Sequence, residues 1–172
     1  MPDQEKILAA LLANHVSGTP APAQAIRDLI VSVFGGVASI SLIDGSTPQT
    51  LGTAAAQLTG FAVDGAVEIG ANADHSADQI TIGCAGGYLV GFSGTFSGDA
   101  ATYTFRLRKG GLVEGSLACG VTLVGGSDQK STFCCLPLQL SAADVLTMWG
   151  EADSNGKNLT PKHMQFWVKR VS

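Results

Sequence analysis

The chain has 172 residues and a net charge of −4, with 14% charged residues, 45% hydrophobic residues and 22 glycines. An ordinary soluble domain has about 25% charged residues, so a large neutral surface remains once the core is filled, and such surfaces usually mark contacts with other chains. The acidic balance argues against nucleic acid or an anionic membrane as partner, and no run approaches the roughly 20 apolar residues of a membrane span.

The first 35 residues predict a helical arm. One helix runs from Gln4 to Asn14, and a second runs from Pro22 to Phe34, with Gly35 just past its end. Helices this short are marginal alone, so we expect their apolar stripes to pack on this chain or to attach it to a partner. The stripe residues are Ile7, Leu8, Leu11, Leu12, Ile26, Leu29, Ile30, Val33 and Phe34. The N-terminal MPDQEK lacks the basic and apolar segments of a secretory signal, so we expect synthesis in the cytoplasm.

Residues 36–172 predict an all-β body, because eight to ten short apolar-alternating segments follow one another at near-regular spacing. This spacing favours an antiparallel sandwich. Pro137 is expected to confine its strand to an edge or a bulge. The expected strands are Val37–Ile43, Gln79–Cys84, Tyr88–Phe96, Tyr103–Leu107, Leu112–Val124, Lys130–Leu140, Val145–Gly150 and His163–Val171, with weaker edge strands in Thr53–Leu58 and Gly60–Val63.

The clearest alternation lies on both sides of Gly98-Asp99, where apolar side chains recur at every second position. Period two predicts strands with one buried face, and the turn chemistry of Gly-Asp predicts that the two strands form an antiparallel hairpin. Alternation in the later strands adds further apolar residues. The residues expected in the core or in a subunit interface are Tyr88, Val90, Phe92, Phe96, Tyr103, Phe105, Leu107, Trp149, Phe166 and Trp167.

No segment carries a nucleophile elbow or a phosphate-binding loop. His75 stands between Asp74 and Asp78, and this polar segment has two interpretations, a metal or acid/base site or a solvated turn; we favour the turn. A calcium loop counted from Asp153 would need glycine sixth and glutamate twelfth, but those places hold Asn158 and Met164. We therefore predict no catalytic residue, no cofactor and no metal site.

The four cysteines are Cys84, Cys119, Cys134 and Cys135. None forms a C-x-x-C pair, and we expect free, mostly buried thiols. A Cys84–Cys119 bridge is the alternative. Cys134 and Cys135 are neighbours, so in a strand they point to opposite faces.

Three stretches between Gln79 and Ser172 resemble the C1q/TNF-like jelly roll. Gly87–Ser93 (GYLVGFS) is similar to the family's glycine-tyrosine strand, and Tyr103–Gly111 (YTFRLRKGG) is similar to its strand and turn, with Gly110 in place of asparagine. Leu138–Leu146 (LQLSAADVL) is similar to its leucine-x-leucine and glycine-aspartate-x-valine segment, with Ala143 in place of the glycine. The last strand, MQFWVKRVS, has Trp167 where the family has glycine.

This resemblance implies a jelly roll that assembles as a homotrimer through the apolar face of one sheet. A helical arm before a jelly roll also resembles bacteriophage virion proteins. This second resemblance implies a non-enzymatic structural protein on the virion surface. The protein would be a trimeric capsid decoration or head-fibre protein that is attached to other virion proteins through the arm. The alternative is a receptor-binding tail-fibre tip that binds a host glycan through the loops Gly70–Asp78 and Gly150–Asn158. A hydrolase is a third hypothesis, for which the sequence shows no catalytic set.

Overall fold

The computed structural model describes residues 37–65 and 70–171, with the backbone alone at residues 115 and 116. The predicted helices of the arm and all of its stripe residues, from Ile7 to Phe34, lie outside the described residues. The description that follows therefore concerns the predicted β body.

Twelve β-strands form the described body, against the eight to ten expected. They are β1 (Val37–Ile43), β2 (Gln49–Leu51), β3 (Ala56–Gln57), β4 (Val63–Asp64), β5 (Ala71–Asp74), β6 (Gln79–Ile82), β7 (Gly86–Gly98), β8 (Ala101–Lys109), β9 (Leu112–Leu123), β10 (Lys130–Leu140), β11 (Val145–Ala152) and β12 (Lys157–Arg170). A single-turn 3-10 helix, His75–Ala77, joins β5 to β6.

The strands form two antiparallel sheets that face each other. Sheet A has the order β10-β7-β12-β1-β4, with β2 also paired to β12, and sheet B has the order β5-β6-β11-β8-β9, with β3 also paired to β11. From β6 onward most connections cross from one sheet to the other, which is why neighbours within a sheet are distant in sequence. The predicted antiparallel sandwich is confirmed, and Pro137 lies, as expected, in a strand at the edge of its sheet.

The core lies between the two sheets and is built from the inward positions of the alternating strands. The rings of Phe92 and Phe96 come from β7, and the ring of Phe105 comes from β8. The Phe96 and Phe105 rings stack across the sandwich with centroids 4.7 Å apart, and Phe92 lies 5.5 Å from Phe105. All three side chains are fully buried, so aromatic packing joins the sheets at the centre of the molecule.

The predicted hairpin between Tyr88–Phe96 and Tyr103–Leu107 is wrong. β7 pairs with β10 and β12 in sheet A, whereas β8 pairs with β11 and β9 in sheet B. Asp99, in the connection, is bonded to β12: its backbone N donates to Asn158 O over 2.9 Å, and its Oδ2 accepts from Asn158 N over 2.8 Å. The Gly98-Asp99 segment is therefore a crossover between the sheets.

The true hairpin of this region joins β8 to β9. Lys109 pairs with Leu112 around Gly110 and Gly111, whose φ angles are 55° and 82°. Positive φ at both central residues is the geometry that favours two-residue hairpins, and glycine adopts it without strain. The turn leaves β9 as the edge strand of sheet B, next to β10 at the edge of sheet A.

Candidate functional site

The outer face of sheet A, which we call the sheet A face, has an uncharged centre built from four strands that are distant in sequence, with the exposed His163 and Lys169 in the rows on either side of it. Antiparallel register places outward side chains in rows across β10, β7, β12 and β1. Two adjacent rows hold uncharged residues alone, and they are Phe133–Ser93–Gln165–Ser41 and Cys135–Gly91–Trp167–Ser39. Phe133 is 64% exposed, and the other residues of its row are uncharged. An exposed aromatic ring in an uncharged patch is unusual on the surface of a monomer.

Trp167 lies on this face because Gly91 leaves room for it. The two residues are direct cross-strand partners. A Cβ atom at residue 91 would overlap the indole ring at Cζ2 and Cε2, so the ring lies over the glycine and buries it. Gly91 and Trp167 therefore form one packed cross-strand pair on the sheet A face.

A shallow depression of about 390 Å³ lies on the same face, and five of the eleven residues that line it bear hydroxyl groups. The Thr95 and Ser131 hydroxyls are hydrogen bonded over 2.8 Å. His163 Nε2 lies 3.8 Å from Asp44 Oδ1, and both side chains are exposed. This separation is too long for a hydrogen bond, so the pair is a loose surface contact and does not orient the imidazole for catalysis.

The outer face of sheet B, the sheet B face, has the opposite character. Arg106 Nε lies 3.4 Å from Glu151 Oε1, and the Arg108 guanidinium lies 3.8 Å from the Trp149 ring centroid. The Trp149 indole N–H donates to Thr147 Oγ1 over 2.9 Å. These charged and polar contacts are typical of a solvated surface, where stacking of arginine on tryptophan is a weak stabilising interaction.

The residues predicted for the core or an interface divide into two groups. Eight of them have no exposed surface in the described chain, and they are Tyr88, Val90, Phe92, Phe96, Tyr103, Phe105, Leu107 and Phe166. They fill the core, which leaves them no surface for a partner. Trp149 and Trp167 are half-buried on the outer faces of sheets B and A, so of the two expected places, the core or a subunit interface, the interface is the one that remains a prediction for them. The sequence did not predict that Phe133 and the other residues of the sheet A face lie together on one surface.

The polar segment around His75 is a set of turns held by carboxylates. Asp74 Oδ1 accepts hydrogen bonds from the Ser76 hydroxyl and from the backbone N of Ser76 and Ala77. The Ser76 hydroxyl is the main cause that lowers the pKa of Asp74. Asp74 therefore acts as the N-cap of the 3-10 helix.

The other carboxylates of this segment are also used for structure. Asp78 Oδ1 accepts from Phe61 N over 2.9 Å, and burial raises the pKa of Asp78. Asp64 accepts the backbone N–H of His75 over 2.7 Å, and its second oxygen lies 3.0 Å from His75 Nδ1. These contacts tie β4 and the residues before it to the turn after β5, which is what the turn interpretation expects of these side chains.

The oxygens considered for a calcium loop are engaged with the β2 region and β8. Asp153 Oδ2 accepts from Thr102 N over 2.9 Å, and Asn155 Oδ1 accepts from Thr53 N over 3.0 Å. The Thr102 hydrogen bond is the main cause that lowers the pKa of Asp153. Across residues 37–65 and 70–171, no group of three or more His, Cys, Asp or Glu side chains is placed to hold a metal ion. Nor does this described part contain a helix long and apolar enough to cross a membrane.

The cysteines are free thiols, but their arrangement differs from the predicted alternative. Cys84 is buried between β6 and β7, where the Tyr88 hydroxyl donates to its carbonyl over 2.7 Å. Cys119 lies instead next to Cys134, with the two sulfur atoms 2.9 Å apart. Sequence reasoning missed this pair, although the inward positions of β9 and β10 were the signal that could have found it.

Comparison with known proteins identifies the fold. No protein-family model and no curated protein matches the sequence. The TNF protein Eiger from S. frugiperda is similar in structure, with a TM-score of 0.60 at 13% identity over 80% of this chain and 93% of that chain. Murine APRIL at pH 5.0 gives a TM-score of 0.53 at 14% identity over 78% of this chain and 99% of that chain. The body has the TNF/C1q-like jelly-roll fold, as the sequence resemblance implied.

Proposed function

We propose that the chain is a non-enzymatic structural protein that assembles as a homotrimer through the sheet A face. The observation that carries this proposal is the contrast between the two outer faces. The centre of the sheet A face presents two rows of uncharged residues, with Phe133 mostly exposed and with Lys169 in the next row, whereas the centre of sheet B presents Arg106, Arg108 and Glu151. Extended uncharged surfaces with exposed aromatic residues are typical of contacts with other chains.

The distribution of exposed apolar residues supports a cyclic assembly. One group lies at β1 and β4 on sheet A, and the other lies along the adjacent edges formed by β9 and β10. Of the seven exposed large apolar residues in the described part of the chain, the first group holds Ile43 and Val63, the second holds Leu112, Val113, Val124 and Phe133, and Val171 lies apart from both, after β12. A face and an edge are different patches, and contact between different patches closes into a ring when the rotation permits. The resemblance to C1q/TNF-like jelly rolls favours three subunits in that ring.

We further propose that this trimer is part of a virion, as a capsid decoration or head-fibre protein, with residues 1–35 as the segment that attaches it to other virion proteins. The apolar stripes of the predicted arm and the low charge of the chain support this proposal. Mass spectrometry of purified virus particles from a culture that carries the sequence should detect the protein as a particle component. Its absence from such particles would refute the virion assignment and leave the trimer proposal standing.

The assembly proposal is tested by light scattering of the full chain. The expected mass is three times 17.6 kDa. Ser93→Arg places a charge in the middle of the sheet A face, and Thr104→Arg places the same charge on the sheet B face. Ser93 and Thr104 are both half-buried hydroxyl residues in central strands, so the two variants are matched.

We expect Ser93→Arg to lower the mass and Thr104→Arg to leave it unchanged, because burying an unpaired charge opposes association. A monomeric full chain at micromolar concentration would refute the proposal. A trimer that survives Ser93→Arg with normal circular dichroism but dissociates with Thr104→Arg would place the contact on the other sheet. The same mass measured on a chain that begins at Gly36 shows whether the body trimerises without the arm.

The alternative is a receptor-binding tip that recognises a host glycan through the loops Gly70–Asp78 and Gly150–Asn158. The polar groups in both loops already have protein partners: Asp74 and Asp78 bond to backbone N–H groups, and Asn155 bonds to Thr53. A ligand would have to compete with these hydrogen bonds. Binding on a glycan array that loop substitutions abolish, without a change in mass, would favour the alternative over a purely structural role.

A further inference from the structure

Two thiols from opposite sheets meet at the edge of the sandwich. Cys119 belongs to β9, the edge strand of sheet B, and Cys134 belongs to β10, the edge strand of sheet A. The Cys134 thiol donates a hydrogen bond to Cys119 Sγ, and the sulfur atoms are 2.9 Å apart. A disulfide needs an S–S distance of about 2.0 Å, so the atoms would have to approach by less than about 1 Å.

The position of this pair is fixed by the register of four strands. Cys119 is the cross-strand partner of Phe105 in sheet B, and Cys134 is the cross-strand partner of Phe92 in sheet A. Phe92 and Phe105 lie opposite each other across the core, with ring centroids 5.5 Å apart. The thiols therefore continue the same layer of the core toward its edge, and their proximity does not depend on a loop.

We propose that Cys119 and Cys134 form a reversible disulfide between the two sheets when the protein meets a disulfide oxidant such as oxidised glutathione. Both residues are partly exposed in the single chain, so a small oxidant can reach the edge wherever a neighbouring subunit does not cover it. The proposal concerns the folded body and does not depend on the trimer or on the virion assignment.

The hydrogen bond between the thiols determines which of the two cysteines reacts first. Donation from Cys134 is the main cause that lowers the pKa of Cys119, and the same contact raises the pKa of Cys134. Because the thiolate is the nucleophile, Cys119 attacks one sulfur of oxidised glutathione, and one glutathione leaves as its thiolate. Cys134 then loses its proton and attacks the Cys119 sulfur of the mixed disulfide, which releases the second glutathione. Two protein thiols and one oxidised glutathione give one protein disulfide and two molecules of reduced glutathione.

The bridge would close the segment between Cys119 and Cys134 and join the free edges of both sheets. Disulfides stabilise in the chain-entropy description by restricting the unfolded chain. For a loop of this length in a chain of this size, we expect oxidation to raise the unfolding temperature by about 6–12 °C. A thiol pair without a bridge would give no such difference between the reduced and oxidised protein.

The other two cysteines provide controls in the same chain. Cys135 follows Cys134 and lies in the outward row with Gly91. Cys84 is buried in the connection between β6 and β7. The proposal therefore predicts that Cys119→Ser and Cys134→Ser abolish the bridge, and that Cys84→Ser and Cys135→Ser retain it.

The experiment equilibrates the full-length protein with reduced and oxidised glutathione at several ratios, followed by acid quenching and alkylation. The expected result is a fall from four free thiols to two, with a mass loss of about 2 Da. Trypsin cleaves after Lys109, Lys130 and Lys157, so the expected cross-link joins peptides 110–130 and 131–157. Since the second peptide holds Cys134 and Cys135 together, the serine variants identify which of them is bridged.

Four alkylated thiols at every ratio, or a mixed disulfide with glutathione that never resolves, would overturn the proposal. So would a cross-link that persists in Cys134→Ser, or one that contains peptide 28–106, where Cys84 lies. The comparison of unfolding temperatures between the reduced and oxidised protein requires no variant, so it tests the stabilising effect even if a serine substitution prevents folding. An unchanged temperature in a protein whose bridge is verified by mass would refute that effect.

Discussion

Substitution of Gly91 by alanine tests the packing that forms the sheet A face. A Cβ atom at this position overlaps the Trp167 indole, and the half-buried ring must move away from the sheet. A fully packed aromatic side chain buries about 150–250 Å², so lifting this ring exposes about 100 Å² of apolar surface. At about 25 cal/mol per Å², the loss is about 2.5 kcal/mol. Alanine recovers about 0.5 kcal/mol because glycine loses more backbone entropy in a strand, which leaves a net cost of about 2 kcal/mol.

The sign of this effect should reverse once the ring is absent. In a Trp167→Ala background, Gly91→Ala meets no indole and should stabilise the protein by about 0.5 kcal/mol. The double-mutant cycle therefore predicts a coupling free energy of about 2.5 kcal/mol. The assay is urea unfolding followed by far-UV circular dichroism at one protein concentration, with the mass of each variant measured by light scattering. Circular dichroism is used because Trp167→Ala removes a fluorophore.

Gly94→Ala is the matched control on the same strand. A Cβ at residue 94 points into the core and overlaps the buried Phe96 ring, so its cost should be the same with or without Trp167. Additive free energies for Gly91→Ala and Trp167→Ala would refute the reasoning, because they would show that the indole does not lie over the glycine in solution.

Three further predictions concern the remaining polar contacts. Tyr103→Phe should lower the free energy of unfolding by about 1–2 kcal/mol in urea titrations, because its hydroxyl lies 3.2 Å from the main-chain carbonyl of Asp99 in the β7–β8 crossover and 3.0 Å from that of Asn158 in β12; an unchanged value would contradict this. The pKa of Asp153 lies below its usual 3.8, so its carboxylate stabilises the fold above that pH and loses its effect as pH falls. Asp153→Asn should therefore lower the unfolding temperature at pH 6, and the difference from wild type should shrink below about pH 4; a difference independent of pH would refute it. Arg108→Lys should weaken the stacking on Trp149 and cost about 0.5–1 kcal/mol, with a change in tryptophan fluorescence; identical spectra and stability would show that the stack contributes nothing.

The alternation of side chains identified the inward face of the strands, but it could not identify their partners. Tyr88 and Tyr103 were expected to point inward, and both are fully buried. Period two is satisfied equally by two strands side by side in one sheet and by two strands that face each other across a core. The bonds that decide between these arrangements join Asp99 to Asn158, a residue far away in sequence. No local pattern contains that information.

Strand β5 was not predicted, because its residues are typical of a turn. Asn72 and Asp74 are typical of turns, and the inward positions that alternate with them hold only Ala71 and Ala73. These alanines are buried, but their side chains give too weak an apolar alternation to predict a strand. Residues 72–78 were interpreted as a polar loop for this reason, and only the 3-10 helix His75–Ala77 with its adjoining turn fits that description.

The candidate surface could not be predicted because it exists only after the strands pair. Phe133, Ser93 and Gln165 come from three strands separated by large sequence distances, and register places them in one row. Trp149 and Trp167 were assigned to the core or an interface because they lie in alternating strands. Their strands offer Met148 and Phe166 for the core instead, so each indole lies on the outer face of its sheet.

The disulfide proposal and the assembly proposal concern opposite sides of strand β10, so each can be tested without affecting the other. Cys134 points inward to Cys119, and Cys135 points outward into the sheet A face. Cys119→Ser should therefore abolish the thermal shift on oxidation without changing the mass of the assembly, and Ser93→Arg should change the mass without changing the number of thiols oxidised. If oxidation itself dissociated the trimer, the bridge would have to move the β9–β10 edge, and this result would support the proposal that the edge is one of the two patches in contact between subunits.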